Sequence, residues 1–419
     1  MDAKDRLLHR ALVAVDHGCI VHVGSSDASY AASTEIDGRR KLLMPGLINV
    51  HTHIPMTLFR GLAEDIPLNA WLEKIIWPRE AKLKPKDVYA GALLGCAELI
   101  KTGTTCFNEM YFFMDQVAEA VAKSGLRAVL AEGMIELGDP EKGQEALHKS
   151  EAFARNYDRF AGGRVRTRLG PHSEYSCSPE FLRKVKDRAE SLGVGIHMHL
   201  AESKPYADSV AAKLGKSATR QLEEIGFLDD QLIVAHCIHV DQQEMNILAR
   251  HQVGVAHCPV SNMKVALGIA KIVDMVDRGI TVGIGTDGPA SNNHVDMLKD
   301  MKIAALAQKS LYGDATALPA KKLLRMATID GAKALGLDKE IGSVEVGKRA
   351  DMILIDLNKA HLSPPADPWT TLAHSAMGSD VDTVIVEGRI LMESRRLTQL
   401  DEEEVIQEAT KVAQQLQSR

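Results

Sequence analysis

A chain of 419 residues, 45% hydrophobic and 25% charged, has the make-up of a folded globular protein, with room for one large domain plus a smaller one or for two to three ordinary domains. A net charge of -6 and an aromatic content of only 4% argue against nucleic acid or an anionic membrane as a partner. The six cysteines (Cys19, Cys96, Cys106, Cys177, Cys237, Cys258) form no CxxC pair, which speaks against a disulfide framework or a zinc knuckle and fits a reducing cytoplasm.

Met1 to Val15 mixes charges throughout and lacks the apolar region of a signal peptide. No apolar run approaches the ~18 residues of a membrane helix. A cytoplasmic protein without a membrane partner is expected, and its oligomeric state is left open.

Residues 1–45 read as short strands with polar turns, Ala11–Val15 and Cys19–Gly24 being the clearest. Pro45-Gly46 is a turn signal. Beyond it the pattern changes to short apolar strands alternating with longer helical stretches. The strand candidates are Leu47–His53, Thr104–Glu109, Arg127–Glu132, Val165–Gly170, Val194–Leu200, Leu232–Cys237, Val253–His257 and Thr281–Thr286. Helices are predicted between most of them, for example over Asp87–Lys101, Met114–Ser124, Pro179–Leu192, Gln242–His251 and Ile272–Arg278. Strand-helix alternation implies a parallel sheet. Eight such units favour a (β/α)8 TIM barrel, which takes about 250 residues or more, here spanning 46–346. The segment holding Trp71, Trp77 and Glu80 is an insertion at the barrel mouth. Short strands return over 347–419, at Ala350–Asp356 and Val381–Gly388, ahead of a charged helix near Glu402–Gln417. These strands are expected to pair with the N-terminal ones in a small β-sandwich domain that the barrel splits in sequence.

Catalytic groups of a barrel sit at the carboxyl ends of its strands. His51 and His53 lie two apart on the first strand and so share a face. The fourth strand ends in Pro171-His172. The fifth carries His197 and His199, followed by Glu202. The sixth gives His236 and the eighth Asp287. Imidazoles and a carboxylate converging on one axial point suit a divalent metal, Zn²⁺ first, with Fe²⁺ or Mn²⁺ as alternatives. Polar side chains are disfavoured in a packed interior unless partnered, which weighs against His51 and His53 as barrel filling. Either His197 or His199 could be the ligand; the later one, nearer the strand end, is preferred. Asp287 has a bland reading as a helix N-cap, and Glu202 as a solvated carboxylate. His239, His257 and His294 read as structural. Val165–Ser178 contains no lysine that could be carboxylated to bridge two ions, so one metal ion per chain is expected.

These residues together resemble the amidohydrolase superfamily. The resemblance is carried by Pro45–His53, His199-Leu200-Ala201-Glu202, Thr286-Asp287-Gly288 and Gly342–Asp351. Within it the chain is similar to the 5'-methylthioadenosine/S-adenosylhomocysteine deaminases through Arg60–Asp65, Trp71-Leu72 with Trp77–Glu80, Pro171–Ser173 with Tyr175–Ser178, and Ser291–Asn293 with Asp296-Met297. The resemblance implies that His51, His53, His199 and Asp287 bind the metal. It implies that Glu80 holds the ribose hydroxyls, that His172 and Glu202 contact the nucleoside, and that His236 lies beside the reacting centre. Glu202, His236 and Asp287 would then be catalytic, and the substrate a small adenosine-type nucleoside.

Two departures stand out. The family's arginines after the third strand are missing; Glu132 and Glu136 stand there and are expected to repel a carboxylate, favouring adenosine, 5'-deoxyadenosine and 5'-methylthioadenosine over S-adenosylhomocysteine. Glu174 replaces a proline. The alternatives are a guanine, cytosine or pterin deaminase or a triazine chlorohydrolase of the same fold, and a non-catalytic binding protein, which would show gaps in the metal set.

Overall fold

The computed structural model describes residues 2, 4–25, 30–62 and 64–418. Ala63, within the Arg60–Asp65 run, lies outside the described residues, as do residues 1 and 419 at the ends of the outer segments. Two strands, β1 (Ala11–Asp16) and β2 (Cys19–Ser25), form an antiparallel hairpin closed at Gly18, whose φ of +77° suits the tight turn. β3 (Lys41–Pro45) follows and leads through one residue into the barrel.

The barrel strands are β4 (Leu47–Thr52), β5 (Thr104–Tyr111), β6 (Arg127–Met134), β7 (Val165–Pro171), β8 (Gly195–Leu200), β9 (Leu232–His236), β10 (Gly254–His257) and β11 (Val282–Ile284). They pair in sequence order, each parallel to the next. Every residue of β4, β5 and β8 is buried, as expected of parallel strands covered on both faces. The first and last strands approach through a parallel bridge between Thr52 and Asp287, where Asp287 N–H donates to the His51 carbonyl at 3.0 Å. Asn49 reinforces this seam, accepting from Thr286 N–H at 3.0 Å and donating to Thr286 Oγ1 at 2.7 Å. All eight predicted strands recur, with ends shifted by up to about two residues, the usual uncertainty of an element boundary.

β12 (Met352–Asp356), β13 (Val381–Val386), β14 (Arg389–Glu393) and β15 (Arg396–Leu397) form an antiparallel sheet in which β12 also pairs with β3. This differs in part from expectation. The N-terminal hairpin is a separate two-stranded sheet that meets the late segment at an antiparallel bridge between Cys19 and Arg349 and packs on the larger sheet through Val13, Ile20 and Val23 against Leu43, Met352 and Leu354. The strand that does pair, β3, was hidden by the Pro45-Gly46 turn signal. Gly46 is required by close approach: a Cβ there would lie 2.0 Å from Thr105 Oγ1. The C-terminal helix Glu402–Ser418 buries Val405, Ala409, Val412 and Leu416, one stripe at helical spacing, and packs on the helix Pro85–Lys101.

Sheet and barrel are pinned by a buried ion pair. Arg127 Nε, at the start of β6, donates to Asp351 Oδ2 at 2.8 Å, with both side chains under 4% exposed (3% and 1%). Asp351 also accepts from Glu387 N–H at 2.8 Å. Removing one partner leaves an uncompensated buried charge. Asp351→Ala is therefore expected to cost about 3–5 kcal/mol of stability, read from the urea midpoint; a loss below about 1 kcal/mol, the range of a surface pair, would reject this role.

Candidate active site

His51 is the next-to-last residue of β4 and His53 the first beyond it, so both rings reach the barrel mouth. His53 Nε2 lies 3.3 Å from His199 Nε2 and 3.3 Å from Asp287 Oδ1. His51 Nε2 lies 3.4 Å from Asp287 Oδ1 and has no hydrogen-bond partner. The ligand atoms of His51, His53 and His199 fall within 4.8 Å of one another, as do those of His51, His236 and Asp287.

The outer nitrogens explain the arrangement. His53 Nδ1 faces the Met110 carbonyl at 2.5 Å, and His199 Nδ1 faces the His172 carbonyl at 2.6 Å. A carbonyl only accepts, so in the neutral rings each Nδ1 carries the proton and each Nε2 turns a lone pair inward. Burial lowers the imidazoles, His51 to about 4, which keeps them neutral near pH 7. Burial acts to raise the Asp287 carboxyl, yet its contacts with His51, His53 and His236 hold it well below the usual carboxylate range. Inward lone pairs and one carboxylate, without protons to share among them, form a donor set that fits a divalent cation.

Several side chains hold this set. Ser261 Oγ and Ser291 Oγ donate to Asp287 Oδ2 at 2.5 and 3.0 Å, leaving Oδ1 to the histidines. Glu109, buried behind His53, accepts from Ile54 N–H and Thr52 Oγ1, each at 2.7 Å. His197 lies one layer deeper, its Nε2 2.8 Å from His51 Nδ1, so it is His199 that joins His51 and His53.

The cavity above is floored by His53, His199, His236, Glu202 and Asp287, and His172 and Glu80 line its sides. All eight site residues singled out in the sequence therefore converge at one mouth, with His51 just beneath the floor. Glu202 Oε1 lies 3.7 Å from His236 Nε2, and burial raises its carboxyl. His236 Nδ1 lies 2.8 Å from Asn262 Oδ1 and donates to it. Burial, with the neighbouring imidazoles, brings His172 down to about 3, so it is neutral. Burial pushes Glu80 up to about 7, against the opposing hydrogen bond from Tyr111 OH at 2.7 Å.

Glu132 and Glu136 do not behave as expected. Their neighbours Gly133 and Ile135 line the cavity, whereas the two glutamates point away. Glu132 accepts from Met114 N–H at 2.8 Å and pairs with Lys149 at 2.9 Å. Glu136 accepts from Ser178 N–H at 2.6 Å. Both cap helix starts, a role that attracts carboxylates. Sequence reasoning also missed Ser261, Asn262, Tyr111 and Glu109. Ser261-Asn262 closely after the strand end, in His257-Cys258-Pro259-Val260-Ser261-Asn262, was the one available signal; Tyr111 and Glu109 sit in an unbroken strand pattern.

A sequence model of the amidohydrolase family matches residues 42–391. The chain is 46% identical over 418 residues to a 5'-deoxyadenosine deaminase of Methanosarcina acetivorans, covering 100% of this chain and 96% of that one. It is 44% identical over 408 residues to a 5-methylthioadenosine/S-adenosylhomocysteine deaminase of Moorella thermoacetica, covering 97% and 95%. The crystal structure of an adenosine deaminase from Xanthomonas campestris with bound zinc superposes with a TM-score of 0.94 at 33% identity, covering 99% of this chain and 95% of that one.

Freeing Asp287 Oδ2 should loosen the donor set without removing a donor. A Ser261→Ala/Ser291→Ala double variant is expected to hold a divalent ion about 10–100-fold more weakly, measured by competition with a chromogenic chelator. Unchanged affinity would show that the serines do not hold the carboxylate.

Proposed function

The chain belongs to the amidohydrolase family, whose members depend on metal ions, and on that footing we propose that it hydrolytically deaminates adenosine-type nucleosides to the inosine analogue and ammonia. The observation that carries this reading is one cavity holding a cation donor set, a buried carboxyl beside it and a second carboxyl at the mouth.

His51, His53, His199 and Asp287 would hold one divalent ion, Zn²⁺ being well suited to nitrogen and oxygen donors. Bound there, such an ion supplies hydroxide near neutral pH. The remaining work falls to side chains. Glu202, whose carboxyl burial raises toward its protonated form, donates to the ring nitrogen beside the carbon that bears the amino group, so that the ring accepts electrons. Asp287 takes the proton of the attacking water and passes it to the departing ammonia. His236, its Nδ1–H committed to Asn262, turns Nε2 toward Glu202 beside the reacting carbon. Glu80 accepts from two vicinal ribose hydroxyls, and His172 borders the nucleoside.

The wall around Glu80 is apolar, built from Leu68, Trp71, Leu72, Ile76 and Trp77, and no lysine or arginine lines the cavity among the described residues. A zwitterionic 5' tail would bury its carboxylate without a cation, which is costly. Neutral 5' groups are therefore preferred, for this reason and not because of Glu132 and Glu136.

An ammonia-release assay on the metal-loaded enzyme should rank adenosine, 5'-deoxyadenosine and 5'-methylthioadenosine at least about tenfold above S-adenosylhomocysteine in kcat/KM, the cost of one unpaired polar contact or more. Guanine and cytosine should release nothing. Turnover of those bases alone would overturn the reading, and equal rates with the homocysteine compound would remove the apolar-wall argument. Glu80 must ionise to accept both hydroxyls. KM for nucleosides should thus fall about tenfold from about pH 6 to about pH 8, and Glu80→Gln should flatten that profile. A KM that stays level in the parent enzyme would take Glu80 out of the sugar site.

A further inference from the structure

Glu174 has no part in the chemistry above, yet it is held in place beside it. Its Oε1 accepts from Ala201 N–H at 3.0 Å, and its Oε2 is buried without a partner. Ala201 is itself unusual. Its φ is +49°, a left-handed conformation that costs a non-glycine residue about 1–2 kcal/mol. Its carbonyl accepts from Ile238 N–H at 3.2 Å and His239 N–H at 3.1 Å. The peptide groups on both sides of one strained residue are therefore tied down, on one side by a side chain and on the other by the turn after β9.

That residue sits where β8 ends and the chain turns to present Glu202. His199 and Leu200 are still in the strand; Ala201 reverses the direction; Glu202 then comes back over the mouth, with Oε1 3.7 Å from His236 Nε2. Without its two anchors an alanine relaxes to the right-handed or extended regions that it prefers. Either change would redirect the following side chain away from the floor of the cavity.

We propose that Glu174 is a positioning residue for Glu202: its carboxyl clamps Ala201 N–H and so holds the left-handed turn that aims Glu202 at the substrate ring. The inference rests on the reading of Glu202 as proton carrier.

The test compares Glu174→Met, which fills the space without an acceptor, with Glu174→Gln, whose amide oxygen can accept the same bond. Both are assayed as metal-loaded enzyme on 5'-deoxyadenosine, with Glu174→Ala as the smaller alternative. Glu174→Met should lower kcat about 10–100-fold, the effect of a displaced catalytic group, with KM and bound metal within about twofold of the parent, while Glu174→Gln recovers most of the rate. A general packing defect would move KM, metal content and thermal midpoint together and would not be rescued by glutamine. Parent-like kcat in Glu174→Met, or an equal loss in Glu174→Gln, overturns the clamp. Glu202→Gln run alongside separates the two claims: if it still turns over, the Glu202 reading falls; if it is inactive while Glu174→Met is fast, only the clamp falls.

Discussion

The seam between the first and last barrel strands is the constraint on which the site depends. The Thr52–Asp287 bridge and the bond from Asp287 N–H to the His51 carbonyl hold Asp287 in a left-handed conformation, with φ of +62°. Such a conformation persists only where the surroundings over-determine it. Here they do: Asn49 ties β4 to Thr286 from one side, and Ser261 and Ser291 grip the carboxylate from the other. If the seam shifted by one residue, Asp287 would face the opposite side of the strand and His51 and His53 would lose their contact with its Oδ1.

Around that seam, burial sorts the ionisable groups. Two carboxyls sharing one cavity are driven apart: Asp287, ringed by imidazoles, stays ionised, while Glu202, with one imidazole at 3.7 Å, is pushed toward its neutral form. Such a separation assigns acid and base roles without a difference in residue type. The histidines follow the same logic. Desolvation keeps them neutral, and the Met110 and His172 carbonyls decide which nitrogen holds the proton.

Much of this was legible in the sequence, because it follows from period and position. Parallel strands leave continuous apolar runs, and chemistry-bearing residues at their ends announce the barrel and its mouth together. What escaped was set by tertiary approach. β3 could not be told from a turn, since Gly46 reports the crowding of Thr105 and not a change of direction. Glu132 and Glu136 looked like pocket charges because sequence gives their location but not their facing; each is one residue off the inward face and occupied by a helix start. Tyr111 and Glu109 were silent, being ordinary strand residues until the fold brings Glu80 and His53 against them.

The origin of Glu80 has a consequence for how such a protein diversifies. Glu80 and most of the apolar wall arrive on the insertion between β4 and β5, whereas the candidate metal donors, Glu202 and His236 come from the ends of β4, β8, β9 and β11. On the proposed reading, sugar recognition and ring chemistry are thus encoded in separable stretches of one chain. Replacement of the insertion would retarget the enzyme while leaving its reaction intact, so relatives of this fold can diverge in what they accept faster than in what they do to it.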